Sequence, residues 1–282
     1  MILGRKNIVL TAFVLICLLP LLMGFVYSLG YSLGVFGLMN EGFTLDHWLR
    51  LFASKDAWSS LIYTFLLTLV SITLVIVFAG LLSRAFVSKP ERSFTQKLLL
   101  LPLLFAPVAA GFAWYYVLSP AGILSRISHA LGLTEDITSF PRMVNDDWSI
   151  GILLVHVFLV LPIFTFLFTA QAKSMNLLEM NKLATSLGSS RLQCFTKLWL
   201  PALVKRFKLL IVLYAVFFMG TYEVPLILGQ SSPRVLTVFI SEKLTMFSLD
   251  DIPMGHCMAV FYSACIFIVL SFFLYRQKST AS

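Results

Sequence analysis

Charged side chains are scarce in this sequence. Only 12% of its 282 residues are charged, whereas 59% are hydrophobic. Soluble domains carry roughly 25% charged residues, so the chain has too few to cover a water-exposed surface and is expected to lie in a lipid membrane. The net charge of +8 would indicate nucleic acid in a soluble protein. In a membrane protein the same lysines and arginines mark cytoplasmic loops, and no nucleic-acid partner is predicted.

The sequence also lacks the residue patterns of catalysis. Its four histidines are scattered, no H-E-x-x-H pair or phosphate-binding glycine loop occurs, and its four cysteines show no metal-ligand spacing. We therefore predict a protein that is not an enzyme, with no catalytic residue, no metal and no cofactor. If the chain transports a solute against a gradient, the energy must come from a partner protein or from an ion gradient.

Six apolar segments have about the 20 residues that a membrane-spanning helix requires. The first is too long for the apolar region of a signal peptide, and no A-x-A-like site follows it, so it is interpreted as a retained helix. The predicted fold class is an all-α, polytopic membrane protein with a single membrane domain over residues 1–282. The predicted spans are roughly 8–30, 59–83, 97–118, 149–171, 207–229 and 254–275.

Basic residues give the expected orientation. With six spans, fifteen of the 21 lysines and arginines fall on the side of the two termini and of the loop 172–206. The positive-inside rule places that side in the cytoplasm. Tryptophans beside the ends of spans, including Trp148 outside and Trp199 inside, are interpreted as anchors in the headgroup layer. The six basic residues on the opposite side are Arg50, Lys55, Arg126, Arg142, Arg234 and Lys243.

The cytoplasmic loop contains the most informative stretch, KLATSLGSSRLQCFTKLWLP, which begins at Lys182. Gly188 is predicted to end one short helix, and a serine after it can cap a second helix whose apolar face includes Phe195. Pro201 is expected to interrupt the pattern before the fifth span. Two short helices around a glycine form a knob that fits a groove on another protein, with Phe195 as the anchor. From periodicity alone, an amphipathic connector lying on the membrane surface is the favoured interpretation.

This stretch resembles the cytoplasmic loop of binding-protein-dependent ABC importer permeases, E-A-A-x-x-x-G-A-x-x-x-x-x-F-x-x-I-x-L-P. Lys182 stands where that family usually has glutamate. The resemblance implies a type I ABC importer permease fold of six transmembrane helices, with this loop docking on an ATPase subunit. The residues expected to form the docking loop are Lys182, Ala184, Leu187, Gly188, Ser189, Phe195, Leu198, Leu200 and Pro201.

The same resemblance implies the partners and the location. This chain would assemble with two ABC ATPase subunits, a second permease subunit and an extracytoplasmic substrate-binding protein. The second permease subunit is expected to be a different chain. The chain would be a multi-pass protein of the bacterial inner membrane, with both termini in the cytoplasm. The segment YEVPLILG followed by SSPRVLTVFI resembles permeases of polyamine, iron and phosphonate importers. A small polar or charged solute of that kind is the expected substrate.

One acid falls within a predicted span. Glu223 follows Tyr222 and precedes Pro225, a proline that frees a backbone carbonyl. These three residues are candidates for the substrate path, because a charge within a bilayer is expected to face a cavity or a partner. A glutamate near the outer headgroups is the alternative. The alternative function is a secondary transporter driven by an ion gradient, which predicts inverted repeats and intramembrane charge pairs that the sequence does not display.

Overall fold

A computed structural model describes residues 2–37, 42–89, 94–134, 139–245 and 249–279. Arg92 and the two ends of the chain that were predicted to be cytoplasmic, Met1 and residues 280–282, lie outside these ranges. The described residues contain helices and connecting turns but no strand. The helices are α1 (Ile2–Ser32), α2 (Asp46–Ala53), α3 (Lys55–Phe86), α4 (Phe94–Leu98), α5 (Pro107–Leu118), α6 (Ile123–Ala130), α7 (Ile150–Ser174), α8 (Leu177–Ser186), α9 (Arg191–Gln193), α10 (Leu200–Met219), α11 (Glu223–Leu228), α12 (Leu236–Thr245) and α13 (Asp251–Ser279).

Five of the described helical segments are long and apolar enough to cross a membrane. Four coincide with predicted spans: those near 8–30, 59–83, 149–171 and 254–275 are helices α1, α3, α7 and α13. Residues 11–26 of α1 are exposed along their whole length, which an apolar helix tolerates in lipid but not in water. The fifth qualifying segment, Pro107–Ala130, joins α5 to α6.

The third and fifth predicted spans are not continuous helices. Between α4 and α5 the chain forms a short 3-10 turn at Leu101–Leu104 that contains Pro102, and α5 then begins at Pro107. Proline removes a backbone donor and disfavours helical geometry in the residue before it, which explains the break. The predicted span 207–229 consists of most of α10, a non-helical turn at residues 220–222, and α11. The predicted bounds of both spans are therefore corrected.

The described chain divides into two compact units, Met1–Ser59 with Val238–Ser282, and Ser60–Thr237. In the first unit α13 packs along α1 and α2. The His256 ring stacks on Tyr31 with ring centroids 4.4 Å apart, and the Cys257 thiol donates to the Ser32 carbonyl. The prediction of one domain over the whole chain stays a prediction.

The second unit has two apolar cores. One combines the α5–α11 contact with the N-terminal part of α7, and its buried members include Ala110, Ile152 and Leu228. The other surrounds the opposite half of α7, where Phe164 and Phe168 are fully buried beside Trp199. This second core fixes the candidate coupling loop to α3 and α7.

Candidate coupling loop and substrate-path residues

The turn at Gly188 has the geometry that the sequence predicts. Gly188 has a φ of +90°, and its N–H donates to the Thr185 carbonyl, while the Ser189 N–H donates to the Ala184 carbonyl. This pair of hydrogen bonds is a Schellman motif, which satisfies carbonyls at the end of α8. Ser190 then caps α9, and its hydroxyl and backbone N–H exchange hydrogen bonds with Gln193. Of the two serines that could cap the second helix, the structure selects Ser190.

The helix does not stop at Pro201. Cys194–Trp199 form a π-helical turn, and the Leu200 N–H donates to the Phe195 carbonyl five residues before it. Pro201 has no N–H, and its ring would collide with the carbonyl four residues back in a regular α-helix. The wider turn accommodates the ring, so α9 continues into α10. The predicted interruption at Pro201 is therefore corrected.

The base of the loop is buried within the chain's own second unit. Trp199 is 0% and Phe195 8% exposed, and the Phe195 ring packs where Gly80 of α3 has no side chain. The Trp199 Nε1–H donates to the Ser83 hydroxyl at 3.0 Å. The structure therefore corrects two predictions: Phe195 is not an exposed anchor for a partner, and Trp199 is not an interfacial residue. Ser83, which no sequence pattern marked, holds this base in place.

The tip of the loop is apolar and exposed. Leu187 is 88%, Leu192 70% and Leu183 66% exposed, and Met180 lies beside them on α8 with 45% exposure. Among the predicted docking residues, Gly188 and Pro201 are also exposed, whereas Ala184, Ser189, Leu198 and Leu200 are half-buried. We call Leu183, Leu187 and Leu192 the apolar tip.

Lys182, close to the apolar tip in sequence, forms an ion pair with Glu179. Its Nζ lies 2.8 Å from a carboxylate oxygen of Glu179, one helical turn earlier, and both side chains are largely exposed. An exposed pair of this kind contributes little to stability. It does place an acid close to the position at which the importer family usually carries its glutamate.

The turn at Gly188 gives a first prediction. Gly188→Val should speed tryptic cleavage after Arg191 about tenfold, because a branched side chain at a positive φ costs roughly 1–2 kcal/mol. Gly188→Asn should stay within about twofold of the parent, since asparagine tolerates this region of backbone geometry. Limited proteolysis in detergent measures both, with cleavage after the distant, exposed Arg142 as the internal reference. Equal rates for all three proteins would show that this turn does not order the loop.

The structure places the three candidate path residues at the break between α10 and α11. Glu223 is exposed as the first residue of α11, Tyr222 is half-buried, and Pro225 is buried. Thr221, just before them, contacts His156, the seventh residue of α7. At 1.5 Å per residue this lies about 10 Å from the end of α7 that was predicted to be outside.

α10 has an exposed face near its end, where Leu213 and Phe217 lie one helical turn apart. Gly220 is exposed in the break that follows, and Glu223 is exposed at the start of α11. Leu213 and Phe217 also line an apolar cleft of about 410 Å³ whose other wall includes Phe105 and Ile163. The described residues bring together no group of three metal-ligand side chains at this face or elsewhere.

The fold is that of an all-α, polytopic ABC permease, which confirms the predicted fold class. No protein-family model and no curated protein sequence matches the chain. Solved structures do. A chain from the crystal structure of a bacterial ABC transporter involved in the import of the acidic polysaccharide alginate matches with a TM-score of 0.66 and 18% identity, over 99% of both chains.

A second solved structure gives the same result. It is the bacterial alginate ABC transporter in complex with an alginate pentasaccharide-bound periplasmic protein, and one of its chains matches with a TM-score of 0.64 and 17% identity. The match covers 95% of this chain and 94% of that one. At these identities the likeness concerns the fold.

Proposed function

We propose that this chain is a transmembrane subunit of an ATP-driven ABC importer in the bacterial inner membrane. The permease fold over the whole length of the chain carries this proposal. One of the structures with this fold was solved with a periplasmic protein bound to an alginate oligosaccharide. A periplasmic binding protein is therefore proposed as a partner of this chain too, together with two ATPase subunits and a second permease chain.

The apolar tip supports the proposed docking on an ATPase. Its three leucines are 66–88% exposed, which water solvates poorly and which a groove on a partner would cover. The loop lies on the side with the excess of lysine and arginine, which is the cytoplasmic side by the positive-inside rule. Its base packs against α3 and α7, so movement of the tip would displace those helices.

Glu223 and the exposed face of α10 are the proposed lining of the substrate path. A carboxylate at this level favours a cationic member of the expected substrates, such as a polyamine, over an acidic polysaccharide. The ion-gradient alternative predicts charge pairs within the spans. Among the described residues, Glu223 and Asp56 have no basic side chain within 4 Å, and the pair that Asp251 forms with Lys243 at 3.0 Å lies at the first residue of α13.

The test is co-purification followed by transport. The tagged chain, extracted in mild detergent, should retain an ABC ATPase subunit from its own cells. The chain and its co-purified partners are then reconstituted into vesicles. These vesicles should accumulate a labelled polyamine only when ATP is present on the side of the membrane where the ATPase is bound. Accumulation that requires an ion gradient and no ATP, or folded chain without a bound ATPase, would contradict the proposal.

A further inference from the structure

A buried polar cluster joins the break after α10 to two neighbouring helices. Ser71 of α3 lies 3.0 Å from His156 Nδ1, and Thr221 at the break lies 3.3 Å from His156 Nε2. Ser71 is 0%, His156 2% and Thr221 7% exposed. Polar groups buried this deeply in a spanning region are costly unless each finds a partner. We call Ser71, His156 and Thr221 the His156 cluster.

The hydrogen bonds in the cluster have a defined direction. The Thr221 hydroxyl donates to the Phe218 carbonyl at 2.7 Å, so towards the imidazole it can only accept. His156 Nε2 therefore carries the hydrogen, and Nδ1 accepts from the Ser71 hydroxyl. The imidazole also stacks on the Phe218 ring, with centroids 4.4 Å apart and an interplanar angle of 15°. All polar atoms of the imidazole are thus satisfied in one orientation.

The break itself creates the need for such support. Pro225 has no N–H, so the Thr221 carbonyl lacks the helical donor four residues later. The Thr237 hydroxyl supplies that donor at 2.6 Å. Backbone hydrogen bonds therefore do not continue from α10 into α11, and contacts from elsewhere in the chain support α11, among them the Thr237 hydroxyl and the Asn145 N–H, which donates to the Leu228 carbonyl.

We propose that His156 is a positioning residue. Through Thr221 it holds the break so that α11 packs on α5 and presents Glu223 at the exposed face. The statement that Glu223 then lines a substrate path rests on the proposed function, whereas the placement of α11 by His156 does not.

A disulfide can report the placement of α11 without any partner protein. A side-chain carbon added at Gly111 of α5 would lie 3.9 Å from Cβ of Ile227 in α11. Bridged cysteines have Cβ atoms about 3.8 Å apart, so Gly111→Cys with Ile227→Cys should oxidise readily. The full-length chain is used with its native cysteines replaced by alanine, namely Cys17, Cys194, Cys257 and Cys265.

The decisive comparison is between two substitutions of one residue. Thr221→Val keeps the shape of threonine but lacks its hydroxyl, and should slow copper-phenanthroline oxidation of the cysteine pair about fivefold, as expected for the loss of a buried hydrogen bond. Thr221→Ser keeps the hydroxyl and should oxidise within about twofold of the parent, because the hydrogen bond is restored. Loss of gel-shift labelling by a polyethylene-glycol maleimide after denaturation measures the disulfide.

Further variants make the test independent of folding yield. His156→Leu should slow oxidation as Thr221→Val does, and combining the two should add little, because both remove the same link. If Thr221→Val yields no folded protein, Ser71→Ala removes the donor to Nδ1 and leaves Thr221 unchanged, and it should also slow oxidation. Oxidation at the parent rate in Thr221→Val and His156→Leu, or in Ser71→Ala where that variant is used, would overturn the proposal. A failed ATPase co-purification would leave these rates unaffected and would concern the proposed function alone.

Discussion

Replacing Leu187 and Leu192 with aspartate should remove the ATPase subunit from the purified chain. We expect the co-purified ATPase to fall at least about thirtyfold, since loss of a central interface residue typically costs 2 kcal/mol or more. Carboxylates do not enter an apolar groove without a partner for their charge. The two side chains are 88% and 70% exposed, so the yield of folded chain should stay within about twofold, as for other surface changes.

The chain offers a matched control for this experiment. Leu131 and Leu133 are 69% and 74% exposed and lie in a loop that the positive-inside rule predicts to be on the side opposite the cytoplasm. Replacing both with aspartate introduces the same charge at the same exposure on the other side of the membrane. The ATPase should be retained. Equal loss in both double variants, or retention in the Leu187 and Leu192 variant, would contradict docking through the apolar tip.

These variants are sharper than a substitution at Phe195, which was predicted to anchor the loop on the ATPase. Phe195→Asp would place a carboxylate in the core around α3 and α7, where the ring is buried. Loss of the ATPase in that variant would follow from misfolding as well as from lost docking. Charge at Leu187 changes only a side chain that projects from the loop.

Local rules predicted the turn of the loop well. The positive φ at Gly188 and the cap at Ser190 depend on residues within about five positions of each other, which a sequence displays directly. The apolar face around Phe195 was also visible. What periodicity cannot specify is which surface covers such a face, and here the chain covers it itself while Leu183 and Leu187 remain exposed.

The spans were likewise predicted well where their structure depends on local sequence and poorly where it depends on contacts between distant residues. Hydropathy identified four helices closely, because length and apolar composition suffice for a regular span. It joined α10 to α11 because Gly220 and Thr221 are compatible with an apolar segment. The partners that support this break, Ser71 and His156, lie 65 or more residues away in sequence, and no pattern indicates such contacts.

The largest effect on stability is expected from Trp199. Trp199→Ala should lower the free energy of unfolding by about 3–5 kcal/mol, because it removes the largest fully buried side chain from the core at the base of the loop. Thermal unfolding in detergent, followed by size exclusion of the remaining folded chain, measures the loss. Trp148→Ala is the control, since that ring is 81% exposed and its removal should change stability little. Equal destabilisation by the two substitutions would contradict the described packing.

The hydrogen bond of Trp199 can be separated from its packing. The Ser83 hydroxyl accepts from the indole N–H and donates to the Gly80 carbonyl. Ser83→Ala should cost about 1–3 kcal/mol, because it leaves the N–H buried without a partner. In Trp199→Phe that donor is absent, so adding Ser83→Ala there should cost distinctly less. Additive losses would show that the two residues act separately. A coupled result would mean that the loop base is joined to α3 by a directed polar contact as well as by apolar packing, and the proposed coupling through this loop requires such a connection.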